Sequence, residues 1–275
     1  MSNKRYSNKG VNSAAKAQAR EAAAQESKRQ TLIICAVAVA VILLAVVLAI
    51  VLGGTDATVG GGKDTTAGTT QTTTPSTSAP SASTVDMSAV KAEIDSMEVA
   101  DFTETTQTSE YVKITIKNFG DVVIRLRSDI APITVANFQK LVGEGFYNGL
   151  TFHRIVQGFM IQGGDPKGDG TGGSGTTIKG EFKINGIQND LSHVAGVISM
   201  ARRNTPYDSA TSQFFICNAD ASASLDGKYA GFGYVVAGLD VVLTVSEVEV
   251  QSNGSENSKP VEPVVIEKIC FVTKN

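Results

Sequence analysis

Tryptophan is absent from this chain, histidine occurs twice and cysteine three times. Neither His153 nor His193 belongs to an H-E-x-x-H helix, and no cysteine pair accompanies them. No metal site is expected, and the expected role of both histidines is structural and hydrogen-bonded. Cys35, Cys217 and Cys270 make no disulfide framework. Cys35 lies in an apolar run, while Cys217 and Cys270 sit in strand-like runs as small hydrophobes, and a bond between those two stays open. No G-x-S-x-G elbow is present, which argues against a serine hydrolase. Gly168-Asp169-Gly170-Thr171-Gly172-Gly173 satisfies G-x-G-x-x-G, but no helix pattern follows it and no βαβ unit surrounds it, so it reads as a surface loop. Twenty-four basic residues face 27 acidic ones with no basic face, and nucleic-acid binding gets no support.

The first 107 residues also lack any mixed apolar and polar pattern long enough for a core. Residues 1–30 are polar and alanine-rich, with seven Lys/Arg against Glu21 and Glu26. Residues 32–52 are all apolar, and the segment 31–52 is expected to cross a bilayer as one helix. A soluble helix would need a polar face, and this run has none. The basic excess precedes the run, so the N-terminus is expected in the cytoplasm and the remainder outside it, as a single-pass signal anchor. A cleaved signal peptide is the rival reading, but its apolar region should be shorter. Residues 53–84, rich in Gly, Thr, Ser and Ala with Pro75 and Pro80, read as a disordered tether. Residues 85–108 are a spacer in which Met87, Val90, Ile94 and Met97 share one helical face.

The globular part spans 109–275. Residues 111–117 alternate, Asn118-Phe119-Gly120-Asp121 turn, and 122–126 return as a hairpin. Pro132 suits the first turn of a helix with the apolar stripe Val135, Phe138, Leu141 and Val142, and Gly143 suits its end. Further strands are predicted at 194–200, 213–218, 231–236 and 264–272, and a second helix at 239–248. About eight strands and two helices point to an all-β barrel.

One stretch stands out: Phe152-His153-Arg154-Ile155-Val156-Gln157-Gly158-Phe159-Met160-Ile161-Gln162-Gly163-Gly164-Asp165. It reads as strands 152–156 and 159–162 with Gly158 easing the bend, Phe159 and Ile161 on one face, Met160 and Gln162 on the other. These residues resemble the signature F-H-R-x-[IV]-x-x-F-M-[IV]-Q-G-G-D of the cyclophilins, the cyclosporin-binding peptidyl-prolyl isomerases. Three further blocks fit in order, starting at Gly196, Ser212 and Leu225. The resemblance runs from about 111 to 272 and is closest to bacterial single-domain members.

The resemblance implies a closed eight-stranded antiparallel β-barrel with a helix at each end. It makes Arg154 the catalytic arginine, assisted by Phe159 and Gln162. Phe159, Met160, Phe215 and Leu225 would form the proline pocket. Gln162, Ala201, Arg202 and Gln213 would bind the substrate backbone or orient Arg154, and Tyr229 stands where the family often has histidine. Arg202 replaces an asparagine. Ser224 stands where tryptophan contacts cyclosporin, which implies weak drug binding. No cofactor is implied.

The reaction so implied suits the residue types. Rotation about an X–Pro bond faces a barrier of ~18–20 kcal/mol from amide resonance. A fixed guanidinium, always charged, can donate a hydrogen bond to the prolyl nitrogen as it regains its lone pair, and an apolar pocket strengthens that bond by excluding water. The expected partners are proline-containing unfolded or exported polypeptides. The rival expectation is a non-catalytic module that holds proline segments on the same fold; an adhesin or wall-binding protein has only the tether in its favour.

Overall fold

A computed structural model describes residues 85–275. The expected basic head (1–30), membrane helix (31–52) and tether (53–84) lie outside the described residues. Among the described residues no helix is long and apolar enough to cross a membrane.

Strand β2 (Tyr111–Ile116) alternates as its sequence demands, with Val112, Ile114 and Ile116 buried. It turns through Asn118, a residue that tolerates the left-handed backbone found there (φ 68°), into β3 (Gly120–Leu126). Helix α2 (Pro132–Gly143) starts on its proline and buries the expected stripe Val135, Phe138, Leu141 and Val142. Then come β4 (Arg154–Val156), β5 (Met160–Gly163), β6 (Val197–Met200) and β7 (Phe214–Cys217). The short α3 (Ser222–Leu225), β8 (Gly231–Ala237) and α4 (Leu239–Ser246) follow. Strands β9 (Val250–Ser252) and β10 (Asn257–Pro260) make a separate hairpin before β11 (Ile266–Lys274). Ahead of the barrel lie α1 (Met87–Glu93) and β1 (Phe102–Glu104).

The strands hydrogen-bond in the order β1-β11-β2-β3-β8-β6-β7-β5-β4, all antiparallel. The expected closed ladder of eight strands is corrected to an open one of nine, with β1 and β4 at its edges. Main-chain bonds still cross the seam ahead of β4: Phe152 N–H donates to Val264 O at 2.9 Å and Ile266 N–H to Leu150 O at 2.7 Å. β11 is therefore forked, its start meeting residues 150–152 and its end meeting β1. β1, β9 and β10 escape a sequence reading because each is three or four residues long and mostly polar.

Inside, the ring of Phe138 from α2 lies 5.1–5.6 Å from those of Tyr147, Phe214 and Phe232, which ties the helix to β7 and β8. Val242 and Val245 of α4 join the same core. A second apolar cluster outside the sheet, built on Val123, Val197 and Val236, is covered by Val90, Met87, Ile94 and Met97. The helical face expected to include Ile94 and Met97 is cut short at Glu93, where Ile94 turns out of the helix (ψ 125°) and Asp95 follows at φ 55°, yet both side chains still reach the cluster. Glu93 accepts from Arg125 Nη1 at 2.8 Å and from the Tyr234 hydroxyl at 2.6 Å. Removing 85–108 would expose this face and leave Arg125 short of a partner. A 109–275 fragment is expected to be less stable than 85–275 by on the order of 3 kcal/mol, read as a lower urea midpoint; equal midpoints would show that the segment merely rests on the domain.

Candidate active site

β4 and β5 pair so that Arg154 faces Gln162, Ile155 faces Ile161 and Val156 faces Met160. Strand alternation then sorts the signature. Ile155 and Ile161 enter the barrel core, while Arg154, Met160 and Gln162 point to the outer face. Phe159 departs from expectation. It belongs to the turn between the strands, where its N–H donates to Val156 O at 3.1 Å and Gly158 takes φ +75°, and its ring joins the Met160 side rather than that of Ile161. Asn218 holds this turn at both ends: its Nδ2 donates to Val156 O at 2.9 Å and its backbone N–H to Phe159 O at 3.1 Å.

A third apolar cluster forms beneath the outer face from Met160, Phe215, Cys217, Ala221 and Leu225. β7 supplies Phe215 opposite Gln162 and Cys217 opposite Met160, and α3 supplies Leu225 at its last position. Burial pushes the Cys217 thiol up to about 12, so it acts as a hydrophobe there. Among the described residues Cys217 and Cys270 are free and not joined to each other. Above this floor opens a cavity of about 200 Å³. Nine of the ten residues singled out from sequence line it: Arg154, Phe159, Met160 and Gln162 from the signature, Ala201, Arg202 and Phe215 from the middle blocks, and Leu225 and Tyr229 from the last.

The tenth, Gln213, lies in an adjoining cavity of about 640 Å³ that shares Gln162, Ala201 and Arg202. Its position explains the order of the site. Gln213 Nε2 donates to Gly170 O (3.0 Å) and Gly172 O (2.8 Å), and its Oε1 accepts from Gln162 Nε2 at 2.9 Å. Gln162 Oε1 in turn lies 3.5 Å from Arg154 Nη1, beside Met160 Sδ at 3.4 Å. The glycine-rich loop that anchors this relay is folded around Asp165, the last residue of the signature. The carboxylate of Asp165, 1 % exposed, accepts backbone N–H groups from Lys167 (2.8 Å), Asp169 (3.2 Å) and Gly170 (2.6 Å). Burial by itself raises its pKa, but these bonds outweigh it and keep the carboxylate ionised. Gly164 just before it sits at φ +82°, where a Cβ would lie 2.5 Å from Ser212 O.

Arg202 lines both cavities, and its guanidinium is held by their wall. Its guanidinium carbon lies 4.7 Å from the Tyr229 ring centroid, 4.8 Å from Phe182 and 5.1 Å from Tyr207. Nε donates to Lys228 O at 2.8 Å, and Nη1 donates to Arg203 O and Asn204 O. Most of its donors are therefore engaged within this chain, and it braces the cavity wall beside Tyr229.

Sequence reasoning missed Glu256, at the tip of the β9–β10 hairpin. Its Oε1 accepts from Arg154 Nε, and its Oε2 accepts from Arg154 Nη2 at 3.0 Å. The Arg154 hydrogen bond holds the Glu256 carboxyl below the usual carboxylate range. No local signal announces it, because the partners are 102 residues apart in a polar hairpin with no motif.

The structure separates the histidines. His193 Nδ1 lies 2.8 Å from Asp226 Oδ1 and Nε2 lies 3.0 Å from Ser199 Oγ, as a structural role requires. This is a Ser-His-Asp order, but His193 is 1 % exposed and Ser199 fully buried, so no substrate reaches it. His153 departs from expectation: neither ring nitrogen has a partner among the described residues. No three His, Cys, Asp or Glu side chains converge as metal ligands among the described residues.

With this geometry in view, the comparisons are direct. The family model described as cyclophilin type peptidyl-prolyl cis-trans isomerase/CLD matches residues 111–270. This chain belongs to the cyclophilin-type peptidyl-prolyl cis-trans isomerases. It is 41 % identical to peptidyl-prolyl cis-trans isomerase ppi1 of Schizosaccharomyces pombe over 152 residues, 55 % of this chain and 92 % of that protein. It is 45 % identical to peptidyl-prolyl cis-trans isomerase B of Bacillus subtilis over 135 residues, 49 % of this chain and 90 % of the relative. A crystal structure of a Cryptosporidium parvum cyclophilin type isomerase superposes with TM-score 0.53 at 30 % identity, covering 60 % of this chain and 98 % of that one.

Burial lowers the pKa of both histidines beneath the ordinary 6.5, against the opposing pull of Asp226 on His193 and Asp165 on His153. The fold thus holds imidazoles neutral that the unfolded chain protonates below about pH 6.5. That contribution is present above the unfolded pKa and is lost as pH falls through the lower folded values. The urea midpoint is expected to fall as pH drops from 7 toward 5, before the carboxylates titrate; a flat profile there would contradict neutral burial.

Proposed function

We propose that this isomerase acts through Arg154 on proline-containing segments of exported polypeptides. The observation that carries the reading is the meeting of a hydrogen-bonded guanidinium with an apolar cavity: Arg154 and the floor of Met160, Phe215 and Leu225 line the same 200 Å³ space. The proline ring would rest on that floor. As the X–Pro bond twists, the nitrogen loses amide conjugation and gains a lone pair, and a guanidinium N–H donates to it. That bond forms only in the twisted state, which is where binding accelerates a reaction. Phe159, its ring centroid 5.9 Å from the Arg154 guanidinium carbon, closes the site from the turn. Gln162 and Gln213 keep the arginine and the loop in register, and Ala201 forms part of the wall. A related structure from Cryptosporidium parvum was determined in the presence of the dipeptide Ala-Pro, at 30 % identity, which supports a proline-containing ligand here.

Exchange on a short X-Pro peptide, followed with the 85–275 fragment, tests the chemistry. Arg154→Ala is expected to lose about a hundredfold in kcat/KM with an unchanged unfolding midpoint. A variant as fast as the wild type would remove Arg154 from the mechanism, and peptide binding without turnover in both would favour a holding module. Cyclosporin is expected to inhibit only weakly, since Ser224 offers no indole.

The proposed site of action rests on the other end of the chain. The apolar run 32–52 is proposed to anchor the protein in the membrane, with residues 1–30 cytoplasmic and the isomerase domain beyond the membrane on its tether. The uninterrupted apolar length and the preceding basic residues support this orientation. In intact cells stripped of any outer barrier, protease is expected to release the domain by cutting the tether; complete protection of the domain would reverse the topology.

A further inference from the structure

Arg154 and Glu256 meet through two hydrogen bonds, and the isomerisation chemistry described above does not use them. Three observations bear on their purpose. First, the hairpin that carries Glu256 is built to hold it. Asn253 Oδ1 accepts the backbone N–H groups of Ser255 and Glu256, both at 2.9 Å, and Asn253 N–H donates to Glu256 O at 2.9 Å. Asn253 Nδ2 then donates to Oγ of the buried Ser258 at 3.0 Å, which fastens the tip to its own base. Second, the carboxylate engages one edge of the guanidinium, Nε and Nη2, while Nη1 faces Met160 Sδ and Gln162 Oε1 at the longer distances of 3.4 and 3.5 Å. Of the five N–H donors of a guanidinium, those on Nη1 are thus left with only these longer contacts. Third, Glu256 does not line the cavity that Arg154, Met160 and Phe215 enclose. It grips the arginine without filling the place of the proline ring.

We propose that Glu256 is a positioning residue for the isomerisation: from outside the proline cavity it clamps the Nε–Nη2 edge of Arg154 so that the remaining donors are presented to the twisted amide. The inference rests on the reading of Arg154 as the catalytic group. A long, flexible arginine has several staggered rotamers, and its two contacts inside the site, to a thioether and a distant amide oxygen, are weak restraints. A two-bond carboxylate fork is the restraint that selects one of them. An obstructing role would require the carboxylate to use the donors that face the cavity, and it uses the other edge.

The test compares kcat and KM on an X-Pro peptide for the full chain, Glu256→Ala, Glu256→Gln, Arg154→Ala and the Arg154→Ala/Glu256→Ala pair. Glu256→Ala is expected to lower kcat about tenfold with KM changed less than about twofold. Glu256→Gln, which keeps one acceptor for Nε, should recover part of the loss, and removing Glu256 from the Arg154→Ala chain should change nothing further. Loss of a rotamer restraint predicts this split; general damage to the fold would move the unfolding midpoint and KM as well. An unchanged or raised kcat in Glu256→Ala, with Arg154→Ala inactive, overturns the positioning role and leaves the arginine mechanism standing. Wild-type rates in Arg154→Ala overturn both.

Discussion

A guanidinium held still beside an oily floor is the constraint on which this structure turns. Water competes for every arginine hydrogen bond, and an unrestrained side chain gives most of its time to solvent-directed rotamers. The fold answers with the register of two short strands. Because Arg154 faces Gln162 across the β4–β5 pair, and Gln162 is bonded to Gln213, the arginine inherits the rigidity of β7 and of the loop around Asp165. A register slip of one residue would send Arg154 into the core and Ile155 into solvent. The buried isoleucines of the inner face therefore fix the geometry of the outer face as firmly as any polar contact does.

The loop between β5 and β6 shows why the last residues of the signature are Gly-Gly-Asp. A buried carboxylate without donors is costly, and Asp165 gathers several N–H groups from a segment with no regular secondary structure to satisfy them. The bonds that neutralise that cost also set the carbonyls of Gly170 and Gly172 where Gln213 can reach them. Loop and site thus depend on the same few hydrogen bonds. Pattern reading dismissed the G-x-G-x-x-G match within this loop correctly, because no helix follows it, but could not see that its glycine carbonyls brace the active site.

Much of the site was legible because its residues alternate within strands or close a turn. The core stripe of α2 and the shared face of Met160 and Gln162 follow from local spacing, whereas Phe215, Leu225 and Tyr229 were singled out only through the family resemblance. What escaped was set by tertiary context. Phe159 looked like a strand residue, but Gly158 and Asn218 together convert its position into a turn. His153 looked like a bonded structural residue, but its ring nitrogens have no partner among the described residues. The nine-stranded ladder differs from the expected closed barrel because β1 takes the far end of β11, an attachment made by three residues with no apolar pattern. Glu256 was invisible for the same reason: a carboxylate on a polar hairpin carries no mark of the arginine it will meet 102 residues away.

The cavity also shows how one residue type serves two purposes. Arg154 and Arg202 both line it, and the difference between them lies in which donors remain. Arg202 gives Nε and Nη1 to three backbone carbonyls and lies near three aromatic rings, so its charge is absorbed by the wall and its stem fills space a smaller side chain would leave open. Arg154 has one firm partner, on one edge, and long contacts on the other. Arg202 is held by the wall it lies against, whereas Arg154 is fixed along its Nε–Nη2 edge by a carboxylate that does not line the cavity, and its Nη1 edge is left with longer contacts to Met160 and Gln162.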